Sequence, residues 1–421
     1  MTPGPTRRSP LLKVLVLPGA ALALMGLTAN WFNLGSPGWR AAQRLSVIAG
    51  LLLALAGWFL GRRLTSAPGK DLRTSLTTRR RVLFALVTCT VSFVLTFGAC
   101  EVILRLLGRG PWVPQDVNIT VEPGGNFFSK HPTLGYAHLP GRFRVTHVGN
   151  RPEERYSWTC THGPDTLRIT SPPHSPGDDK KSIWIFGCSF TYGESVNDEE
   201  AYPWLLREKL SDYQVVNFAV GGYGTVHSLI QFRAALEQRK KPELVVLAYA
   251  SFHDDRNTFL RHRRKALVPY NKLQELRQPY ARLDADGTAC LHEAAAVYTE
   301  FFGMRYSAVM HAVERAYNNL EDHFCRSHEV TKALLKEFSD LCVGNGVRLV
   351  VAGLRPDSAT LDTLDYCKAN GILNVDISLD ETRAENFNPP YVGHPSAKGH
   401  WHFAEKLYAG LKESGVLPRF H

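Results

Sequence analysis

From Ser182 onward, short apolar runs alternate with segments of helical periodicity, and this alternation restricts the fold more than any other feature of the chain. The first run, Ile183-Trp184-Ile185-Phe186, stops at Gly187. Four or five consecutive large or β-branched residues read as a strand buried on both faces. The pattern predicts strands at Ser182–Phe186, Val215–Phe218, Leu244–Tyr249, Arg348–Ala352 and Leu373–Asp376. It predicts helices at Tyr202–Leu210, Thr225–Arg239, near Ala295–Phe324 and His328–Gly344, at Asp357–Asn370 and at Ser396–Ser414. An insertion follows Tyr249 and runs to about Ala294. Such alternation builds a mostly parallel sheet with helices on both faces, a three-layer α/β/α domain.

A chain of 421 residues has room for more than this domain, and its N-terminal part differs in kind. Three apolar stretches occur there, at Leu11–Ala29, Leu45–Leu60 and Val82–Ala99, the last continuing apolar to Leu107. A bilayer crossing takes about 20 mostly apolar residues, so the expectation is three transmembrane helices within residues 1–107. Arg7, Arg8 and Lys13 precede or begin the first stretch, and Arg62, Arg63, Lys70, Arg73, Arg79, Arg80 and Arg81 lie between the second and third. The loop between the first and second carries only Arg40 and Arg44. Positive charge stays on the cytoplasmic side, which gives a cytoplasmic N-terminus and puts everything after about Leu107 in the periplasm or outside the cell. Residues 108–180, rich in Pro and Gly, read as a stalk and short-stranded lead-in, and residues 181–421 as the α/β domain.

Much of the net charge of +10 is therefore topological and argues against a nucleic-acid partner. A second basic run, Arg256, Arg261, Arg263, Arg264 and Lys265, falls in the outer domain. It reads as a solvated face, with acidic glycans or lipid headgroups as the functional alternative. Cys89 and Cys100 sit in the third span, while Cys160, Cys188, Cys290, Cys325, Cys342 and Cys367 fall outside it, where an oxidising compartment permits disulfides. No short Cys pairing of metal type occurs, so neither a metal nor a cofactor is expected.

Four polar blocks fall at predicted strand ends, the edge where open α/β sheets bind ligands. Gly187-Cys188-Ser189 follows the first strand and presents a hydroxyl. Asn217-Phe218-Ala219-Val220-Gly221-Gly222 follows the second, Ser251-Phe252-His253-Asp254 the third, and His394-Pro395-Ser396 opens the last helix. A serine hydroxyl needs an adjacent base to act as a nucleophile, and imidazole titrates in the right range. The oxyanion formed on attack needs preorganised N–H donors, and glycine lets the backbone come close.

These blocks resemble the SGNH/GDSL hydrolase superfamily over roughly residues 130–415, and most closely its membrane-tethered bacterial members with an extracytoplasmic esterase-like domain. The lead-in segment His131-Pro132-Thr133-Leu134-Gly135-Tyr136 and Arg168 share that resemblance. It implies a flavodoxin-like domain with Ser189 as nucleophile, Gly222 as an oxyanion donor and His394 as general base. Three positions depart from the family pattern. Cys188 stands where an Asp is common, and His253 stands where an Asn usually donates to the oxyanion. Tyr391 and Val392 stand where the carboxylate that orients the His is usual. An imidazole N–H at His253 would replace the missing donor, and Asp376, Asp380, Glu385 or a backbone carbonyl would serve behind His394. Asp254 reads as a helix cap or a partner for Arg256. The implied activity is hydrolysis or transfer of O-acyl groups through an acyl-Ser189, on acylated carbohydrate or lipid-linked substrates. The competing expectation, motivated by the three departures, is a catalytically degenerate binding or assembly module of the cell envelope.

Overall fold

The computed structural model describes residues 78–114, 119–148, 155–172, 180–388 and 393–417. The predicted spans Leu11–Ala29 and Leu45–Leu60 lie outside the described residues. The chain divides into two compact units, Met1–Pro114 with Thr299–His323, and Gln115–Tyr298 with Phe324–His421.

In the first unit, helix α1 (Thr78–Leu106) is 29 residues long. Its segment Leu86–Leu106 has a mean hydropathy of 1.9, long and apolar enough to cross a membrane, and the third predicted span falls on this helix. Near its end, Glu101 accepts hydrogen bonds from the N–H groups of Ala308 and Val309 (2.9 and 3.0 Å) and from Ser307 Oγ (2.8 Å). Those N–H groups open the helix Ala308–Cys325, where a carboxylate is favoured.

The second unit begins with short strands. They are β1 (Ile119–Glu122), β2 (Phe128–His131), β3 (Gly135–His138), β4 (Gly141–Val148) and β5 (Arg155–His162). β1, β4 and β5 form one antiparallel sheet, and β2 pairs with β3. The residues read as a stalk and lead-in thus belong, from Gln115 onward, to the same unit as the α/β domain.

Next come β6 (Lys181–Phe186), α2 (Ser189–Tyr192), α3 (Tyr202–Lys209), β7 (Tyr213–Asn217), α4 (Thr225–Gln238) and β8 (Leu244–Tyr249). The insertion holds α5 (His253–Thr258), α6 (Arg261–Leu267) and an antiparallel hairpin of β9 (Arg277–Leu283) and β10 (Ala289–Ala295). After the helix Ala308–Cys325, which is α7, follow α8 (Ser327–Gly344), β11 (Arg348–Gly353), α9 (Ser358–Ala369), β12 (Leu373–Asp376) and α10 (Ala397–Glu413). The helix expected to begin near Ala295 begins instead at Ala308, because Ala289–Ala295 pairs along its whole length with β9. Pairing with β9 overrides helix propensity in this largely exposed stretch.

The central sheet runs β12-β11-β8-β6-β7, and every pair is parallel. Its strands are apolar on both faces because helices cover both. Ile183 and Ile185 pack with Tyr202 and Leu206 of α3 and with Phe403 and Leu407 of α10. Trp184 and Phe186 point the other way, to Val226 and Phe232 of α4 and Leu334 and Phe338 of α8. Caps fix two helix starts near the sheet edge: Asp357 accepts from Thr360 N–H, and Ser396 from Gly399 N–H. The strand order reverses between β6 and β8, so their C-terminal ends flank the switch point where ligands bind. All eight cysteines are free thiols.

Candidate active site

β6 ends at Phe186, and the chain turns through Gly187 into α2, whose first residue is Ser189. A Cβ on Gly187 would stand 2.3 Å from Thr191 Oγ1, so the turn excludes any larger residue. Cys188 is fully buried in the apolar cluster formed by Ile183, Tyr202 and Phe403. An unpaired carboxylate there would carry a heavy desolvation cost, which accounts physically for a thiol at this position.

The second block is shaped by Asn217. Its Oδ1 accepts from Ala219 N–H (3.1 Å), and its Nδ2 donates to Thr191 O (3.3 Å), tying this turn to the one bearing Ser189. Gly222 adopts φ +83°, and an added Cβ would lie 2.5 Å from Tyr136 Oη and 2.7 Å from Arg263 Nη2. Tyr136 Oη donates to Gly221 O at 2.7 Å. That carbonyl shares its peptide unit with the Gly222 N–H, so the bond fixes the N–H and polarises it as a donor.

His394 follows Gly393 and precedes the capped start of α10. Asn388 N–H donates to His394 O (3.0 Å), and Phe387 and Pro395 form a bridge, which fasten the segment at both ends. The imidazole meets Phe190 edge-on, with centroids 5.6 Å apart. Its Nε2 lies 3.6 Å from Glu194 Oε2, an ion-pair distance rather than a hydrogen bond. Ser189, Glu194, Gly222 and His394 line one cavity of about 820 Å³, within the usual range for a small-molecule site.

The carboxylates expected behind His394 are engaged elsewhere. Asp376 accepts from Ser378 N–H, Asp380 from Thr382 and Arg383, and Glu385 pairs with Lys398 at 2.8 Å. Glu194 faces the imidazole instead, from the turn that follows α2. That turn runs through left-handed backbone at Gly193 (φ 89°) and Ser195 (φ 81°). Arg168 holds it from below: its fully buried guanidinium donates to Asp198 Oδ1 (2.9 Å), Tyr192 O (2.9 Å), Gly193 O (2.5 Å) and Val196 O (2.8 Å). Removing one partner of a buried pair leaves the other charge uncompensated. Arg168→Ala is therefore expected to destabilise the domain by about 3–5 kcal/mol, read as a shift of the urea midpoint. Unchanged stability would mean that the turn is held by other contacts.

His253 stands apart from the cavity. It is fully buried, edge-on to Tyr249 at 5.6 Å, and neither ring nitrogen has a hydrogen-bond partner among the described residues. Burial, with the nearby Arg256, His227 and Arg263 adding to it, holds the imidazole well below its ordinary range, so it is neutral. The neighbouring Phe252 and Arg256 form the cavity wall at this point. Asp254 accepts from Tyr249 Oη (2.8 Å) and Thr331 Oγ1 (2.7 Å) and contacts His328 Nδ1 (2.8 Å), linking α5 to α8 rather than reaching Arg256.

No protein-family model and no curated protein matches the chain. Solved structures do. A psychrotrophic esterase from Pseudoalteromonas is 14% identical with a TM-score of 0.32, covering 56% of this chain and 98% of its own. A member of the G-D-S-L lipolytic protein family from Veillonella parvula is 10% identical with a TM-score of 0.33, covering 54% and 97%. The salicylyl-acyltransferase of a tetracycline biosynthetic pathway is 14% identical with a TM-score of 0.26, covering 58% of each chain.

Sequence reasoning missed Glu194. The available signal was an acidic residue directly after Gly193, five positions beyond Ser189. If Glu194 orients His394, Glu194→Gln is expected to lower kcat on an aryl ester by about 10²–10⁴-fold with little change in KM. A kcat within twofold of the wild type would remove Glu194 from the site.

Proposed function

We propose that the chain is a membrane-anchored serine esterase or O-acyltransferase of SGNH/GDSL type. The observation that carries this reading is the convergence of Ser189, Gly222, His394 and Glu194 on one cavity at the switch point of the sheet. Ser189 Oγ attacks the acyl carbonyl carbon while its proton passes to the His394 imidazole. The tetrahedral oxyanion accepts a hydrogen bond from Gly222 N–H. Collapse expels the alcohol, which takes the proton from His394 and leaves an acyl-Ser189 ester. Water or a sugar hydroxyl then attacks that ester, losing its proton to His394, and a second collapse releases the acyl product as His394 returns the proton to Ser189 Oγ. Contacts in a substrate-free site commonly shorten when substrate binds, so a 3.6 Å approach of Glu194 to His394 is compatible with an orienting role.

The apolar wall of the cavity, with Val121, Phe127, Trp158 and Leu276, suits an acyl group. Acylated carbohydrate or lipid-linked substrates are the class we assign. The basic loop before the third apolar stretch supports a cytoplasmic N-terminus and a catalytic unit in the periplasm or outside the cell. A pre-steady-state burst of aryl alcohol, with the acyl mass retained on the Ser189 peptide after quenching, is the expected result. Turnover without a burst and without a modified Ser189 would count against a covalent mechanism.

A second reading, a non-catalytic envelope module, draws on the burial of His253 away from the cavity. It predicts ligand binding with no covalent adduct.

A further inference from the structure

The basic run of the insertion divides its work. Arg261 and Lys265 lie over the Tyr298 ring, and Arg264 lies over Phe259. Arg256 and Arg263 turn instead to the Ser189 cavity, which both line. Arg263 Nη2 donates to Gly222 O (2.7 Å), and Arg256 Nη1 donates to Tyr223 O (2.9 Å) while its guanidinium covers Phe252 at 4.3 Å. Each guanidinium carries five N–H donors, and one backbone carbonyl uses only a small part of them.

Neither arginine forms an ion pair among the described residues. Asp255, the nearest acidic neighbour in sequence, contacts His262 at 3.0 Å. Of the carboxylates on the cavity wall, Glu381 pairs with Arg355 at 2.7 Å and Glu194 faces His394. Burial first, and the neighbouring Arg256 second, push Arg263 down to about 10, with Tyr136 and Asp255 offsetting only part of the effect. Two forked cations in one pocket match the planar oxygen pairs of a carboxylate or phosphate.

We propose that Arg256 and Arg263 form an anion subsite within the catalytic cavity, and that the natural ester carries a carboxylate or phosphate close to its scissile carbonyl. The inference rests on the Ser189 reading of the site. Its geometric basis is that Arg263 grips Gly222, the residue whose N–H faces the oxyanion, so bound anion and reacting carbonyl lie within a residue's breadth of each other. The substrate is thus an acidic sugar ester or an ester of a phosphate-bearing lipid carrier, rather than a neutral ester.

The test uses the full chain in detergent with inorganic phosphate as probe. Calorimetric titration of the Ser189→Ala protein is expected to give saturable binding. Arg256→Gln and Arg263→Gln added to it should each weaken that binding at least tenfold, and Arg263→Lys should recover part of it. With wild type, phosphate should raise the KM for an aryl acetate bearing a carboxylate and leave kcat unchanged. Absent saturable binding, phosphate affinity unchanged from the Ser189→Ala parent in both Gln proteins, or phosphate binding that does not compete with the acidic ester would each overturn the subsite. Should a Gln protein fail to fold, the wild-type competition decides the matter alone. Intact phosphate binding with no ester turnover would count against the esterase reading and leave the anion site standing.

Discussion

Ser189→Ala is expected to lower turnover of an aryl ester by about 10⁴–10⁶-fold, the scale seen when the nucleophile of a serine hydrolase is removed. The loss should fall in kcat. Ser189 is buried at the first turn of α2, and its methyl replacement leaves the cavity wall otherwise intact. His394→Ala should cost nearly as much, and the double variant little more than either single one, because in the proposed mechanism the two side chains act in one proton transfer. Additive losses would mean that they act separately. The result that would contradict the account is a Ser189→Ala protein retaining more than a few per cent of wild-type turnover.

The second large effect concerns acid. Burial depresses His162 to about 4, His227 to about 3 and His400 to about 3. Each has a structural task. His162 Nε2 meets Tyr192 Oη at 2.9 Å, His227 Nδ1 accepts from Gly224 N–H at 3.2 Å, and His400 Nδ1 accepts from Tyr202 N–H at 3.2 Å. A free histidine titrates near 6.5, so below that pH the unfolded chain takes up protons that the folded chain refuses. Stability from these groups is therefore full above about pH 6.5 and declines as the pH falls from there toward the folded values. Each histidine removes about 1.4 kcal/mol per pH unit, and three together remove about 4. Domains are stable by only about 5–15 kcal/mol, so the α/β unit is expected to unfold between roughly pH 6 and 4. Circular dichroism against pH reads this directly. A flat urea midpoint from pH 7 to 4.5 would show that these histidines take up protons as readily in the folded chain as in the unfolded one.

Much of the fold was legible because its strands are buried on both faces. Ile183–Phe186, Leu244–Tyr249 and Arg348–Gly353 are uninterrupted apolar runs, and such runs leave few alternatives. The helix expected from near Ala295 was misread, because that helix-favouring residue ends the hairpin strand Ala289–Ala295 instead. Ser189, Gly222 and His394 were legible because each follows a strand or opens a helix at one sheet edge, and topology alone brings such positions together. Glu194 was not. Its approach to His394 depends on two left-handed residues and on the buried Arg168, and no spacing rule encodes that path. His253 shows the opposite limit. It follows the correct strand, but the first turn of α5 sends its ring into the core and leaves Phe252 and Arg256 at the cavity. A shift of one residue around a helix is enough to exchange a site position for a core position.

Covalent labelling tests the central claim most directly. A fluorophosphonate probe applied to the intact chain in detergent should modify a single residue, with peptide mapping locating the phosphonyl group on Ser189. Labelling should vanish in Ser189→Ala and fall sharply in His394→Ala. Absence of labelling in the folded wild-type protein, or a label at any residue other than Ser189, would contradict the account.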